Sequence, residues 1–119
     1  MGFNHDYGGV YEKPSTKNVK KTRVYISGPM TGLPGLNFPL FNAEALRLEG
    51  MGYDVVNPVD LCVNSTNWEQ CMRIDLAALL TCDMIALLPG WQKSRGAHLE
   101  VNIAHQVGIE IVSAKDLTS

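Results

Sequence analysis

The chain has 119 residues, 45% of them hydrophobic, which is enough for one domain with a real core and too few for two. Ten Lys and Arg against twelve Asp and Glu give a formal net charge of -2. Apart from a cluster at Lys20, Lys21 and Arg23 the basic residues are scattered, so polymeric DNA or RNA is not an expected partner.

No apolar run reaches the length of a signal-peptide core or a membrane span, so the expectation is a cytoplasmic protein without a membrane partner. Cys62, Cys71 and Cys82 are odd in number and lack C-x-x-C spacing. They are read as buried free thiols in a reducing compartment, with neither a disulfide framework nor a zinc site. His98 and His105 lie two turns apart on a polar flank, not at the spacing of H-E-x-x-H, and His5 stands alone, so no metal is expected.

Residues 1–22 are crowded with Gly, Pro, Ser, Asn and Lys and are read as a tail, flexible or draped on a partner subunit, ahead of a domain spanning 23–119. "RVYIS" opens the domain as a β-rich run ended by Gly28 and Pro29, and "YDVVNP" is a second run ended by Pro58. Between them Phe38, Phe41, Ala45 and Leu48 recur at helical spacing up to Gly50 and Gly52, which completes a β-α-β unit. In "NWEQCMRIDLAALLTC" a second helix is expected, with Asn67 as N-cap and Cys71, Met72, Leu76, Leu79 and Leu80 as its apolar stripe. "DMIALLP" reads as a strand buried on both faces of a parallel sheet. A third helix from about Ser94 to Val107 stops at Gly108 and leads into "IEIVS".

Strands alternating with helices imply a small doubly wound α/β fold, a parallel sheet of four or five strands in a Rossmann-type three-layer sandwich. Ligands in such folds bind outside the carboxyl ends of the strands, here "SGPMTGLPG", "NPVDL" and "PGWQKSRG". Gly28, Gly32 and Gly35 do not have G-x-G-x-x-G spacing and no Walker A motif is present, so no nicotinamide or triphosphate cofactor is expected.

Two acidic residues sit where a core wants none. Glu100 is in line with Ala97, Ile103, Ala104 and Val107, and Asp75 is flanked by Cys71, Met72, Leu76 and Leu79. An ionised carboxylate in apolar surroundings costs several kcal/mol, so it is normally paired, protonated or lining a pocket. One reading is an ion pair with Arg73 or Arg95 that pins helices together. The other is paired carboxylates facing one cleft, the arrangement that serves glycosidic chemistry. "KSRG", at the start of the third helix, offers a hydroxyl, a guanidinium and free N–H groups, either a phosphate site or a solvated turn. Trp68, Trp91, Met30 and Phe38 are candidates to wall a base, or plain packing.

With Tyr25 and "SGPMTG", Asp75 on the middle helix, and the run Ser94-x-Gly96-Ala97-x-x-Glu100, the chain resembles the nucleoside 2-deoxyribosyltransferase superfamily, in particular its small branch beginning "YISGPMTG". The resemblance spans Val24 to Val112 and implies a flavodoxin-like sheet assembled as a homodimer or larger. It also implies roles: Glu100 as the nucleophile at C1' of a 2-deoxyribosyl group, Asp75 as the acid that protonates the departing base, and Tyr25 as the residue orienting Glu100. Ser27, Gly28, Pro29 and Met30 of the first loop, and Ser94, Arg95, Gly96 and Ala97 with Trp91, are the expected substrate contacts.

Six residues before the nucleophile the related transferases tend to carry aspartate, whereas Ser94 stands here, as in the related 2'-deoxynucleoside 5'-phosphate N-hydrolases. Serine can donate to a phosphate that aspartate would repel. The expected substrate is therefore a 2'-deoxynucleoside 5'-monophosphate, cleaved or transferred at its N-glycosidic bond without a cofactor. The alternatives are a transferase acting on free nucleosides and a non-catalytic nucleotide-binding module.

Overall fold

A computed structural model describes residues 20–119, so the expectation of a tail over 1–22 lies, but for its last three residues, outside the described residues. Strand β1 (Arg23–Ser27) is followed by helix α1 (Phe38–Gly50) and β2 (Asp54–Val56). Helix α2 (Trp68–Leu79), β3 (Met84–Leu87), α3 (Arg95–Val107) and β4 (Glu110–Ser113) complete the chain, with single 3-10 turns in the connections. All pairings are parallel, and the strand order is β2-β1-β3-β4. The expected α/β fold, with its flavodoxin-like order, is the observed one.

The alternation of β1 divides the core. Val24 and Ile26 pack with Met84 and Ala86 against Phe41, Ala45 and Leu48 of α1. Tyr25 points the other way and packs with Ile85 and Leu87 against Leu79 of α2 and Ala104 of α3. Side chains two apart on a strand share a face, so α1 covers one side of the sheet and α2 with α3 the other. Chain direction across the sheet reverses between β1 and β3, the position where such folds open a crevice at the carboxyl ends of their strands.

Helix starts follow the chemistry read from sequence. Asn67 accepts a hydrogen bond from the Gln70 N–H through its side chain, and Ser94 does the same for Ala97. Gly108, at φ 80°, ends α3 in the left-handed conformation that favours glycine.

Two stripe residues are not where periodicity put them. Leu80 is 55% exposed because α2 ends at Leu79, the residue that turns onto the sheet, and its neighbour is carried about 100° round the helix. Val107 is also 55% exposed, because α3 buries nothing beyond Ala104 before it turns at Gly108.

The cysteine reading needs a larger correction. Cys62 and Cys71 form a disulfide with Cα atoms 5.4 Å apart, and Cys82 is the buried free thiol. The connection after β2 doubles back onto the first turn of α2 and brings together two residues whose spacing in sequence carries no recognisable motif. The inference of a reducing compartment therefore loses its cysteine basis. Among the described residues no helix is long and apolar enough to cross a membrane.

Close packing of the strand ends explains one glycine. The Leu88 N–H donates to the Ser27 carbonyl at 2.8 Å, and a Cβ on Gly28 would lie 2.8 Å from Leu88 Cβ. Gly28→Ala should therefore destabilise the fold by about 1–3 kcal/mol through overpacking. Gly50→Ala, whose Cβ meets nothing within 4 Å, should leave stability within about 1 kcal/mol of the parent. Urea unfolding midpoints of the two variants check the contrast.

Candidate active site

Tyr25 and Ser27 share the face of β1 that looks at α3, and both reach Glu100. The Tyr25 hydroxyl donates to Glu100 Oε2 at 2.6 Å, and the Ser27 hydroxyl donates to Oε1 at 2.6 Å. All three side chains are enclosed, with relative exposures of 0%, 1% and 6%. On α3 the buried residues are Ala97, Glu100 and Ala104, so two alanines let the helix lie close to the sheet and the carboxylate fills the position between them. Gly96 sets the approach to α2, since a Cβ there would stand 3.2 Å from Met72 Sδ.

Burial pushes the Glu100 carboxyl from its ordinary 4.5 to about 7, with the Ser27 and Tyr25 hydrogen bonds pulling against that rise and the Asp75 charge adding to it. Asp75, on α2, is raised from 3.8 to about 6 by burial, and its Oδ1 is buried without a hydrogen-bond partner. The Tyr25 hydroxyl is pushed well above its ordinary range, by burial first and then by the charges of Glu100 and Asp75, and so stays a donor.

Neither carboxylate is neutralised by arginine. The two ion pairs among the described residues are Arg23 with Asp54 and Arg47 with Glu44. The Arg95 guanidinium instead lies over the Trp68 ring, 3.7 Å from its centroid, and so joins the amino-terminal ends of α2 and α3.

The remaining predicted positions divide between the crevice and the core. Ser94 opens α3 at the carboxyl end of β3, with its own N–H donating to the Trp91 carbonyl and its side chain accepting from the Ala97 N–H, so the N–H groups of Arg95 and Gly96 are the ones without an acceptor in a preceding helical turn. Trp91 is partly buried on the α2 and α3 side and lies against His98 with the rings tilted by 43° and their centroids 5.3 Å apart. The Pro29 carbonyl accepts from Asn37 Nδ2 at 3.0 Å, while Met30 packs on the α1 side of the sheet. A cavity of about 150 Å³ opens by Trp91, Gln92, Ser113 and Lys115, at the carboxyl ends of β3 and β4. A larger hollow of about 540 Å³ lies by Lys20, Lys21, Tyr53 and Asp54, at the opposite end of the strands, and neither Glu100 nor Asp75 lines either of the two.

The bond from Ser27 to Glu100 is the feature that motif reading missed. The signal was present in Tyr25-x-Ser27, two hydroxyls on one face of a strand, but nothing local says which helix that face meets.

A family model described as a domain of unknown function, DUF4406, matches residues 22–113. The chain belongs to the DUF4406 family. Among solved structures this DUF4406 domain is similar to the 2-desoxiribosyltransferase from Leishmania mexicana, with a TM-score of 0.61 at 19% identity over 77% of this chain. The similarity spans 63% of the length of the Leishmania protein. BlsM, solved in solution, is similar with a TM-score of 0.56 at 18% identity, over 81% of this chain and 82% of its own. At these identities the likeness is one of fold. No curated protein matches the sequence.

The raised pKa values of Glu100 and Asp75 make stability depend on pH. Between about pH 4.5 and 7 the folded DUF4406 chain holds a proton on Glu100 that the unfolded chain has released. Stability must therefore fall as pH rises through that window, and the loss is complete above it. Asp75 acts in the same direction from 3.8 to about 6. Glu100→Gln should shrink the difference between urea stabilities at pH 5 and pH 8 by on the order of 2 kcal/mol. An unchanged difference in the folded variant would mean that Glu100 is not held at a raised value.

Proposed function

We propose that this protein cleaves or transfers at the N-glycosidic bond of a 2'-deoxynucleoside 5'-monophosphate, with Glu100 as nucleophile. The observation that carries the reading is a buried carboxylate held between two hydroxyl donors, beside a second carboxylate that has no cationic partner. A purely structural pair of acids would be expected to carry arginine or lysine, and neither does. The fold adds support, since one similar structure is named as a 2-desoxiribosyltransferase.

In the proposed reaction a Glu100 oxygen forms a bond to C1' as the bond from C1' to the base nitrogen breaks. The electron pair leaves with the base, which takes a proton from Asp75. Water or a second base then displaces Glu100 from C1'. This division needs Glu100 ionised and Asp75 protonated. In the free protein the order is the reverse, since Glu100 stands at about 7 with both hydroxyl bonds in place and Asp75 at about 6. The division therefore depends on the substrate: a base seated against Asp75 removes its remaining contact with water and raises it above Glu100.

The phosphate is assigned to the start of α3. Ser94 can donate its hydroxyl proton outward while its oxygen accepts from the Ala97 N–H at 3.1 Å, and Arg95 supplies the positive charge. Trp68 beneath Arg95 holds the guanidinium at this end of the helix.

The test is release of free base from deoxynucleoside monophosphates, followed by chromatography. Glu100→Ala and Glu100→Gln should fold and lose activity by about a thousandfold or more, as for removal of a covalent nucleophile. A folded Glu100→Gln with parental activity would remove Glu100 from the mechanism.

Substrate choice is a separate measurement. The parent should prefer the monophosphate to the nucleoside, and Ser94→Asp should abolish that preference by charge repulsion at the helix start. Arg95→Ala should raise KM more than it lowers kcat. Equal turnover of nucleoside and monophosphate by the parent would refute the phosphate assignment and leave the nucleophile standing.

A further inference from the structure

We propose that Ser27 is a positioning residue for Glu100: paired with Tyr25 across the carboxylate, it fixes the orientation of both oxygens and selects the ionised, nucleophilic form. The inference rests on the reading of Glu100 as the reacting group, but its geometry does not.

Each Glu100 oxygen receives one hydroxyl proton, Oε1 from Ser27 and Oε2 from Tyr25, both at 2.6 Å. Such short contacts suit hydroxyls donating to a charged acceptor. Among the described residues neither hydroxyl makes another hydrogen bond, and at 1% and 0% exposure neither reaches solvent. That count of protons discriminates between the two states of Glu100. In the carboxylate, two O–H groups meet two acceptor oxygens and every proton is placed. In the acid, a third proton enters the same enclosure. One hydroxyl must then accept from Glu100 and turn its own proton toward apolar surroundings, which is the costly case of a buried donor without an acceptor.

The other neighbours push the opposite way. Asp75 of α2 adds negative charge, β3 presents Ile85 and Leu87, and the neighbours on α3 are Ala97 and Ala104. Ser27 and Tyr25 are thus the groups that hold the charge against burial. The Ser27 hydroxyl can be removed with little change of shape, because Ser27→Ala deletes a single oxygen.

The spacing has a structural origin. Tyr25 and Ser27 are two apart on β1, so one strand delivers a long and a short hydroxyl to the same face, about 7 Å apart along the chain. The long side chain reaches one oxygen from farther back, and the short one meets the other at the strand end. A rigid two-point grip of this kind removes rotation about the last bond of the Glu100 side chain.

The experiment titrates Glu100 directly, by NMR of protein labelled with ¹³C at the glutamate carboxyl, with the resonance assigned through Glu100→Gln. Relative to the parent, Ser27→Ala should raise the Glu100 midpoint by about one pH unit, the equivalent of one charge-assisted hydrogen bond. Ser27→Thr, which keeps the hydroxyl, should restore most of it. Ser27→Cys, a weaker donor, should fall between and serves if the threonine methyl disrupts folding. The acid limb of kcat/KM for base release should move upward with the NMR midpoint, so that at pH 6 Ser27→Ala loses about tenfold relative to the parent.

A folded Ser27→Ala whose Glu100 midpoint stays at the parental value overturns the proposal, whatever its activity. A midpoint that shifts in a protein releasing no base from any deoxynucleotide upholds the grip on Glu100 and refutes the glycosidic reading instead. Base release by the parent with an unmoved midpoint in Ser27→Ala does the reverse.

Discussion

A carboxylate on the sheet-facing side of α3 is the constraint around which this domain is organised. Removing an ionised glutamate from water costs several kcal/mol unless the surroundings supply donors. Here they come from β1, one of the two inner strands, whose Tyr25 and Ser27 meet the two oxygens. The same strand anchors the opposite layer through Val24 and Ile26. A shift of one residue in its pairing would turn the hydroxyls toward α1 and leave Glu100 facing valine and isoleucine. Core and site are therefore specified by one register.

Packing between α2 and α3 brings the second carboxylate into range. Gly96 admits Met72, and the contact sets Asp75 close enough for its charge to raise Glu100. The disulfide ties the loop after β2 to Cys71, one helical turn ahead of Asp75, and Arg95 lies on Trp68 where both helices begin. Three different interactions thus hold the amino-terminal half of α2 against its neighbours, where a helix without them would be free to fray. That end of the domain is where the crevice opens, so the same contacts keep the two acids at a set separation.

Electrostatically the site is maintained against the preference of the fold. Both acids are raised by burial, and each is an obstacle to folding above neutral pH. Arginine beside either would relieve the cost, and the arginines are elsewhere: Arg23 and Arg47 pair with Asp54 and Glu44, and Arg95 sits over an indole. The proposed function would use this arrangement, since a carboxylate fully satisfied by a cation is a poor nucleophile and a poor acid.

The sequence by itself determined the elements, their order and the anomaly. Alternation in Arg23–Ser27, helical spacing from Phe38 to Leu48, the caps at Asn67 and Ser94 and the stop at Gly108 are local signals, because each is set by backbone geometry within a turn or two. Glu100 and Asp75 stood out by the same periodicity, as charges in apolar stripes. What the carboxylates meet is not local. Only the tertiary structure decided that Glu100 faces Ser27, 73 residues earlier, and that Cys62 reaches Cys71 across a reversed loop. It also decided that Leu80 and Val107 point to solvent, since whether a helix's last turn is covered depends on the elements beside it. Period and capping follow from the chain's own bonds, whereas partners across the sheet follow from strand order and register, which bring together residues that no short-range signal connects.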